Sequence, residues 1–272
     1  MDFVTLPDGA RLAYDVFDFS DPWTAAEPVI LVHGFSKNRK FWFEWIPRLS
    51  RRYRVICLDQ RGHGDSSVPP ASFAMALEPF AGDLAHFVAA LGLSSAHFVM
   101  AEFSSTVAVE FAIRYPHLIR SLTLPGFAYN YRASKVDRSE WVHICETEGA
   151  LAWARATNAN RLPAGVSPQM REWYIAQQGR MPAWFLAALF RFNPHIDLTD
   201  RLPLITAPTL IIAGSEAQQG SIETVRLGAK LIPDCRLVEL PGMPYNVMSA
   251  AAGPCVEATL RFLDEHAVRM TP

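Results

Sequence analysis

Cysteine is scarce and scattered in this chain. The four thiols, Cys57, Cys145, Cys235 and Cys255, form no C-x-x-C pair and no cluster with histidine. Neither a zinc site nor a disulfide framework is therefore expected, and reduced thiols of a cytoplasmic protein are the simplest reading. An excess of one charge is missing too: 25 Lys and Arg stand against 27 Asp and Glu, for a net charge of −2. That balance implies no nucleic acid and no acidic membrane surface as partner. No apolar run is long and uninterrupted enough to span a bilayer, and the first residues, MDFVTLPDGARLAYD, have neither the basic nor the apolar region of a signal peptide. Repeats and low-complexity tracts are absent. So are a metal-ligand cluster, a phosphate loop and a G-x-G-x-x-G fingerprint; GHGDSS at 62–67 has the wrong spacing for a nucleotide site. A small-molecule substrate without cofactor or metal is what remains, with self-association into a homodimer left open.

What is present is a regular alternation of strand-like and helix-like segments. DFVTL and ARLAYDVFD flank a Pro-Asp-Gly turn and predict an N-terminal hairpin. PVILVHG, YRVICLDQ, HFVMA, RSLTLPG, PTLIIAG and CRLVELPG read as strands buried on both faces. Helical periodicity covers 83–93, a stretch from Phe103, and 256–267. Strands alternating with helices predict a mostly parallel α/β sheet with helices on both faces. The interval 129–197 breaks the rhythm: it is helical in pattern, has no strand-like run, and carries Trp141, Trp153, Trp173 and Trp184. It predicts a helical lid over the strand ends, with 1–128 and 198–272 forming the core. Ligands of open α/β sheets bind at the carboxyl ends of the strands, where such an insertion would lie.

LVHGF (31–35), LDQRGHGDSS (58–67), the strand-turn-helix at Glu102, LTDRLPLITAPTLIIAG (198–214) and LVELPGMPYNV (237–247) together resemble the α/β-hydrolase family, in particular its small lidded enol-lactonases and esterases. They follow the family's order and spacing over almost the whole chain outside the lid. The resemblance implies the α/β-hydrolase fold and a Ser-His-acid triad with the serine on a G-x-S-x-G elbow. Here the elbow reads Met100-Ala101-Glu102-Phe103-Ser104. The flanking HFV and VAVEFAIRYP hold the register, so Ser104 or Ser105 could serve only after a slip of two or three residues. The acid position falls on Ala217, one residue beyond Glu216, and the histidine position on Tyr245. LTLPGFAYN offers no carboxylate at the alternative acid position. All three triad positions are replaced, which removes a serine-hydrolase mechanism.

The resemblance further implies an oxyanion hole from the backbone N–H groups of Phe35 and Phe103. His33 is read first as a side chain tying loops beneath the site, with substrate contact as the alternative; His63 is read as structural. Trp42, Phe127, Tyr129 and Trp184 are candidates to line an aromatic, fairly apolar pocket. An elbow glutamate sits at a helix N-terminus, which favours an anion, under a lid, which disfavours one. The leading reading makes Glu102 a general acid or base, with Tyr245 as hydrogen-bond donor or proton partner, on a small carbonyl compound: elimination, cyclisation, isomerisation or decarboxylation. Two others stay open: a non-catalytic ligand-binding protein, and a carboxylate-nucleophile hydrolase such as an epoxide hydrolase.

Overall fold

A computed structural model describes residues 1–132, 134, 136–158, 161–162, 166–217 and 221–267. The expected hairpin forms from β1 (Asp2–Thr5) and β2 (Arg11–Phe17), paired antiparallel from Asp2 opposite Tyr14 to Thr5 opposite Arg11. Asp8 Oδ1 accepts from Ala10 N–H at 3.0 Å, and Gly9 takes the positive φ of 84° that the turn requires. The six buried runs become β3 (Pro28–Val32), β4 (Arg54–Leu58), β5 (Ala96–Met100), β6 (Ile119–Pro125), β7 (Thr209–Gly214) and β8 (Cys235–Leu240). The sheet order is β1-β2-β4-β3-β5-β6-β7-β8, parallel from β4 through β8.

Alternation along each strand divides the core in two. Ile30, Val32, Ile56, Leu58, Phe98 and Met100 belong to one apolar cluster, and Val29, Leu31, Val55, Cys57 and Val99 to the other. Helix 77–90 covers the first face with Leu77, Phe80, Ala81, Leu84, Phe87 and Val88, the i, i+3, i+4 stripe of an amphipathic helix. It starts six residues earlier than the periodicity alone indicates (83 against 77), because Glu78 and Pro79 are both tolerated in a first turn. The C-terminal helix, Ala252–Glu265, likewise begins earlier than 256, with Pro254 in its first turn.

Between β6 and β7 the chain forms the helices Ser139–Thr147, Ala150–Thr157, Pro168–Gln178 and Ala183–Phe192. Ser167 caps the third, its side chain accepting from Met170 N–H at 3.1 Å. An isolated antiparallel bridge between Asn130 and Asp197 closes the neck of this helical block. The block packs around its own aromatic centre, with Phe190 5.2 Å from Trp141 and 5.1 Å from Trp153 between ring centroids. Phe190 also meets Phe35 of the sheet domain edge-on at 5.4 Å, which seats the block over the carboxyl ends of β3 and β5.

Among the described residues no helix is long and apolar enough to cross a membrane. All four cysteines are free thiols.

Candidate active site

β5 ends at Met100, and the helix Phe103–Arg114 begins at Phe103. The turn between them places Glu102 at φ 54°, ψ −120°, a conformation that L-residues adopt only at a cost of order 1–3 kcal/mol. Its N–H donates to Pro125 O at 2.9 Å, and its C=O accepts from Ser105 N–H at 2.9 Å. The strained elbow is thus kept although a methionine replaces its first glycine; Met100 points into the apolar core and is fully buried. Two close approaches make room for the carboxylate. A β-carbon at Gly34 would collide with Glu102 Oε2, and one at Gly126 would lie 2.7 Å from Tyr245 O and 3.2 Å from Glu102 Cγ.

Ser36 is the other non-glycine residue with positive φ (58°) among the described residues. This backbone kink follows His33-Gly34-Phe35 and precedes Lys37. Lys37 is 5 % exposed. Its Nζ donates to Glu102 Oε1 at 2.5 Å and to Asn246 Oδ1 at 2.6 Å. Burial lowers the Lys37 pKa, and the Glu102 charge works against that shift. Asn246 Nδ2 donates in turn to the backbone carbonyl of Arg161 at 3.0 Å, so a continuous chain of bonds links the elbow to the helical block.

Glu102 borders a cavity of about 220 Å³. The sheet domain supplies Phe35, Ser36, Lys37 and Glu102 to its wall; the helical block supplies Trp141, Thr157, Arg161 and Gln178; the C-terminal loops supply Glu216, Tyr245 and Asn246. The N–H groups of Phe35 and Phe103 have no intramolecular acceptor among the described residues, and of the two residues only Phe35 is part of the cavity wall. Phe35 reaches the cavity with its ring as well.

Tyr245 occupies the cavity wall, yet it makes no hydrogen bond to Glu102. Its hydroxyl is buried, as is that of Tyr131, and the two phenols meet at the edge of hydrogen-bond range. Burial pushes the Tyr245 pKa well above its usual value, with Tyr131 and then Glu102 adding to the rise. The expected Glu102–Tyr245 contact is therefore replaced by Glu102–Lys37. The sequence reading missed Lys37 and Asn246, although Lys37 lies two residues beyond LVHGF and Asn246 within LVELPGMPYNV.

The remaining site candidates lie elsewhere. His33 is fully buried beneath the cavity and is not part of its wall. Gln60 N–H approaches its Nε2 at 3.2 Å and its Nδ1 lies 2.7 Å from Gly34 O, a pairing that places the ring proton on Nδ1. Burial lowers its pKa to about 4, and that of neighbouring His63 to about 3. Trp42 packs edge-on to Trp45 in the second core cluster. Phe127 and Tyr129 stack on each other, and the Tyr129 hydroxyl donates to Thr224 O at 3.0 Å. Trp184 is 36 % exposed. None of Trp42, Phe127, Tyr129 and Trp184 lines the cavity, because their apolar surface is taken up by core packing or faces solvent. Ser104 and Ser105 are fully buried, and their hydroxyls donate to backbone carbonyls, Ser104 to Val32 O and Ala101 O at 2.8 Å and Ser105 to Glu102 O at 2.5 Å. Neither faces the cavity as a nucleophile would.

The chain has the α/β-hydrolase fold: residues 27–133 match the family model described as alpha/beta hydrolase fold, and the sheet order and elbow agree with it. Among solved structures it is similar to a hydrolase from Pseudomonas aeruginosa PA01, at 26 % identity and TM-score 0.83, covering 96 % of this chain and 97 % of that one. It is also similar to the enol-lactonase from Burkholderia xenovorans LB400, at 21 % identity and TM-score 0.87, covering 97 % and 100 %, a likeness of fold. A curated relative, the 2-(acetamidomethylene)succinate hydrolase of Mesorhizobium japonicum, is 24 % identical over 245 residues, 87 % of each chain. These relatives are hydrolases.

Proposed function

We propose that this chain is a cofactor-independent, non-serine enzyme of the α/β-hydrolase fold that moves a proton on a small carbonyl compound, with Glu102 as general acid or base. The observation that carries this reading is the strained elbow that presents Glu102 to a cavity, one oxygen held by Lys37 and the other facing Gly34 of the oxyanion segment. In the forward step a C–H bond next to the carbonyl breaks and its proton passes to Oε2. The electron pair moves to the carbonyl oxygen, where the N–H groups of Phe35 and Phe103 stabilise the enolate. Return of the proton at another carbon gives isomerisation; loss of a leaving group or ring closure gives elimination or cyclisation. Lys37 orients the carboxylate and balances its charge. Tyr245, with a hydroxyl that stays protonated beside Tyr131 in the cavity wall, is a hydrogen-bond donor for the substrate. The helical block acts as the lid that keeps water from the enolate.

Attack of Glu102 on carbon, as a nucleophile, would need a base to activate water against the resulting ester. The histidine position holds a phenol with a raised pKa, and Lys37 is occupied by Glu102 and Asn246. The test is to incubate the protein in D2O with a panel of small ketones and keto acids and to follow deuterium entry next to the carbonyl by NMR. Incorporation above the buffer rate, with an unmodified protein mass after acid quench, is the expected result. An ester adduct on Glu102 in the quenched protein would select the nucleophile mechanism instead.

A further inference from the structure

We propose that the cavity carries a carboxylate-binding subsite centred on the Arg161 guanidinium, so that the substrate is a carbonyl compound bearing a carboxylate. This deepens the proton-transfer reading and rests on it for the reacting end of the molecule. The first observation is that one of the cavity's charged side chains has no ion-pair partner. Two cations and two anions line the cavity: Lys37, Arg161, Glu102 and Glu216. Lys37 is consumed by Glu102, whereas Glu216 is exposed at the rim. Arg161 forms no ion pair with any carboxylate among the described residues, which include every Asp and Glu of the chain.

The second observation is that Arg161 is held in place rather than free in solvent. Its Nε donates to Thr157 O at 3.3 Å, its Nη2 to Thr157 Oγ1, and its guanidinium lies 3.9 Å from the centroid of the Trp153 ring. Its Nη1 is buried without a partner. Burial pulls the Arg161 pKa down to about 9, with Glu102 opposing the shift. The side chain therefore remains a cation at neutral pH, half-buried and without an ion pair among the described residues.

A third observation places a second cation behind the same wall. Arg138 is 4 % exposed, also has no carboxylate partner among the described residues, and lies 5.4 Å and 5.9 Å from the ring centroids of Tyr131 and Trp141. Its Nε is a buried donor without an acceptor. A buried, unpaired charge costs several kcal/mol, which an anion bound in the cavity offsets. Arginine's fork suits a carboxylate, whose two oxygens can take paired N–H donors. The two arginines belong to the helical side and Glu102 to the sheet side, so the carboxylate and the reacting carbon would sit at opposite walls.

Isothermal titration with 4-oxo-4-phenylbutanoate and with its neutral primary amide tests this. The carboxylate is expected to bind the wild-type protein about tenfold or more tightly than the amide, in line with the worth of a charge-assisted hydrogen bond. In Arg161→Gln that preference disappears while affinity for the amide stays. Arg161→Lys, which keeps the charge, retains part of it. Should Arg161→Gln fail to fold, the wild-type comparison and Arg161→Lys decide. Equal affinities for acid and amide in the wild type, binding of neither, or a preference that survives Arg161→Gln would overturn the subsite. Glu102→Gln keeps the carboxylate preference or strengthens it. In the wild-type protein, absence of deuterium exchange with that preference present sinks the proton-transfer reading, and absence of the preference with exchange present sinks the subsite.

Discussion

Lys37 Nζ lies 2.5 Å from Glu102 Oε1, bridging 65 positions of sequence and almost wholly withdrawn from solvent. Removing one member of such a pair strands the other. Lys37→Met is expected to destabilise the protein by about 3 kcal/mol, because Glu102 then keeps a desolvated charge. Lys37→Met combined with Glu102→Gln should recover most of that loss. Denaturant midpoints of the two single variants and the double variant check the coupling; simple additivity would mean that the ion pair contributes nothing.

The retained elbow leads to a prediction about hydrolysis. Glu102→Ser alone should not cleave 4-nitrophenyl acetate above background, since a serine without a base stays protonated. Glu102→Ser with Ala217→Asp and Tyr245→His should give weak turnover, because the turn at φ 54° and the free N–H groups of Phe35 and Phe103 are already in place. The unaltered protein should resist serine-directed phosphonates, given that Ser104 and Ser105 are buried and bonded to backbone. Labelling at either serine would contradict the assignment of the elbow.

His33 and His63 set an acid limit. Burial holds both rings neutral, lowering their pKa from 6.5 to about 4 and about 3. The unfolded chain takes up both protons as pH falls below 6.5, whereas the folded chain does not. Their contribution is therefore fully present above pH 6.5. It is lost as pH drops towards 4 for His33 and towards 3 for His63, at up to about 1.4 kcal/mol per pH unit for each ring. Unfolding free energy measured across this range should show the slope, and His63→Leu should remove about half of it. A slope identical in His63→Leu would assign the acid loss to other groups.

Tyr245→Phe separates packing from chemistry. The hydroxyl is buried beside that of Tyr131 without a well-formed hydrogen bond, so its removal should change the unfolding midpoint little. Exchange or turnover should fall, but by less than in Glu102→Gln, as befits a hydrogen-bond donor. A large loss of stability would show that the phenol holds the loop together.

The strands were legible because β-branched runs bounded by Gly and Pro have few other uses, and the helical block because its periodicity changes where 129–197 begins. The elbow was legible by register, since HFV and VAVEFAIRYP flank Glu102 without a gap. The identity of its partner was not. Lys37 follows Ser36, whose backbone turns at φ 58°, and nothing in the local sequence marks a serine for that conformation. The aromatic candidates failed for a different reason. Trp42, Phe127 and Tyr129 have the same side-chain chemistry whether they fill a core or line a pocket, and only packing decides between them. Arg161 shows the converse: a charged residue in a loop reads as solvated surface until the fold half-buries it with one unpaired N–H group.

The most direct measurement compares wild type and Glu102→Gln in D2O, following by NMR the rate at which deuterium enters next to the carbonyl of a keto acid that the wild type accepts. Gln keeps the shape of the side chain but cannot take the proton. The account predicts a rate lower by roughly 10²–10⁴-fold, the usual worth of general acid–base catalysis, with ligand affinity changed far less. Exchange that proceeds in Glu102→Gln at the wild-type rate would contradict it and would leave Glu102 as a structural partner of Lys37.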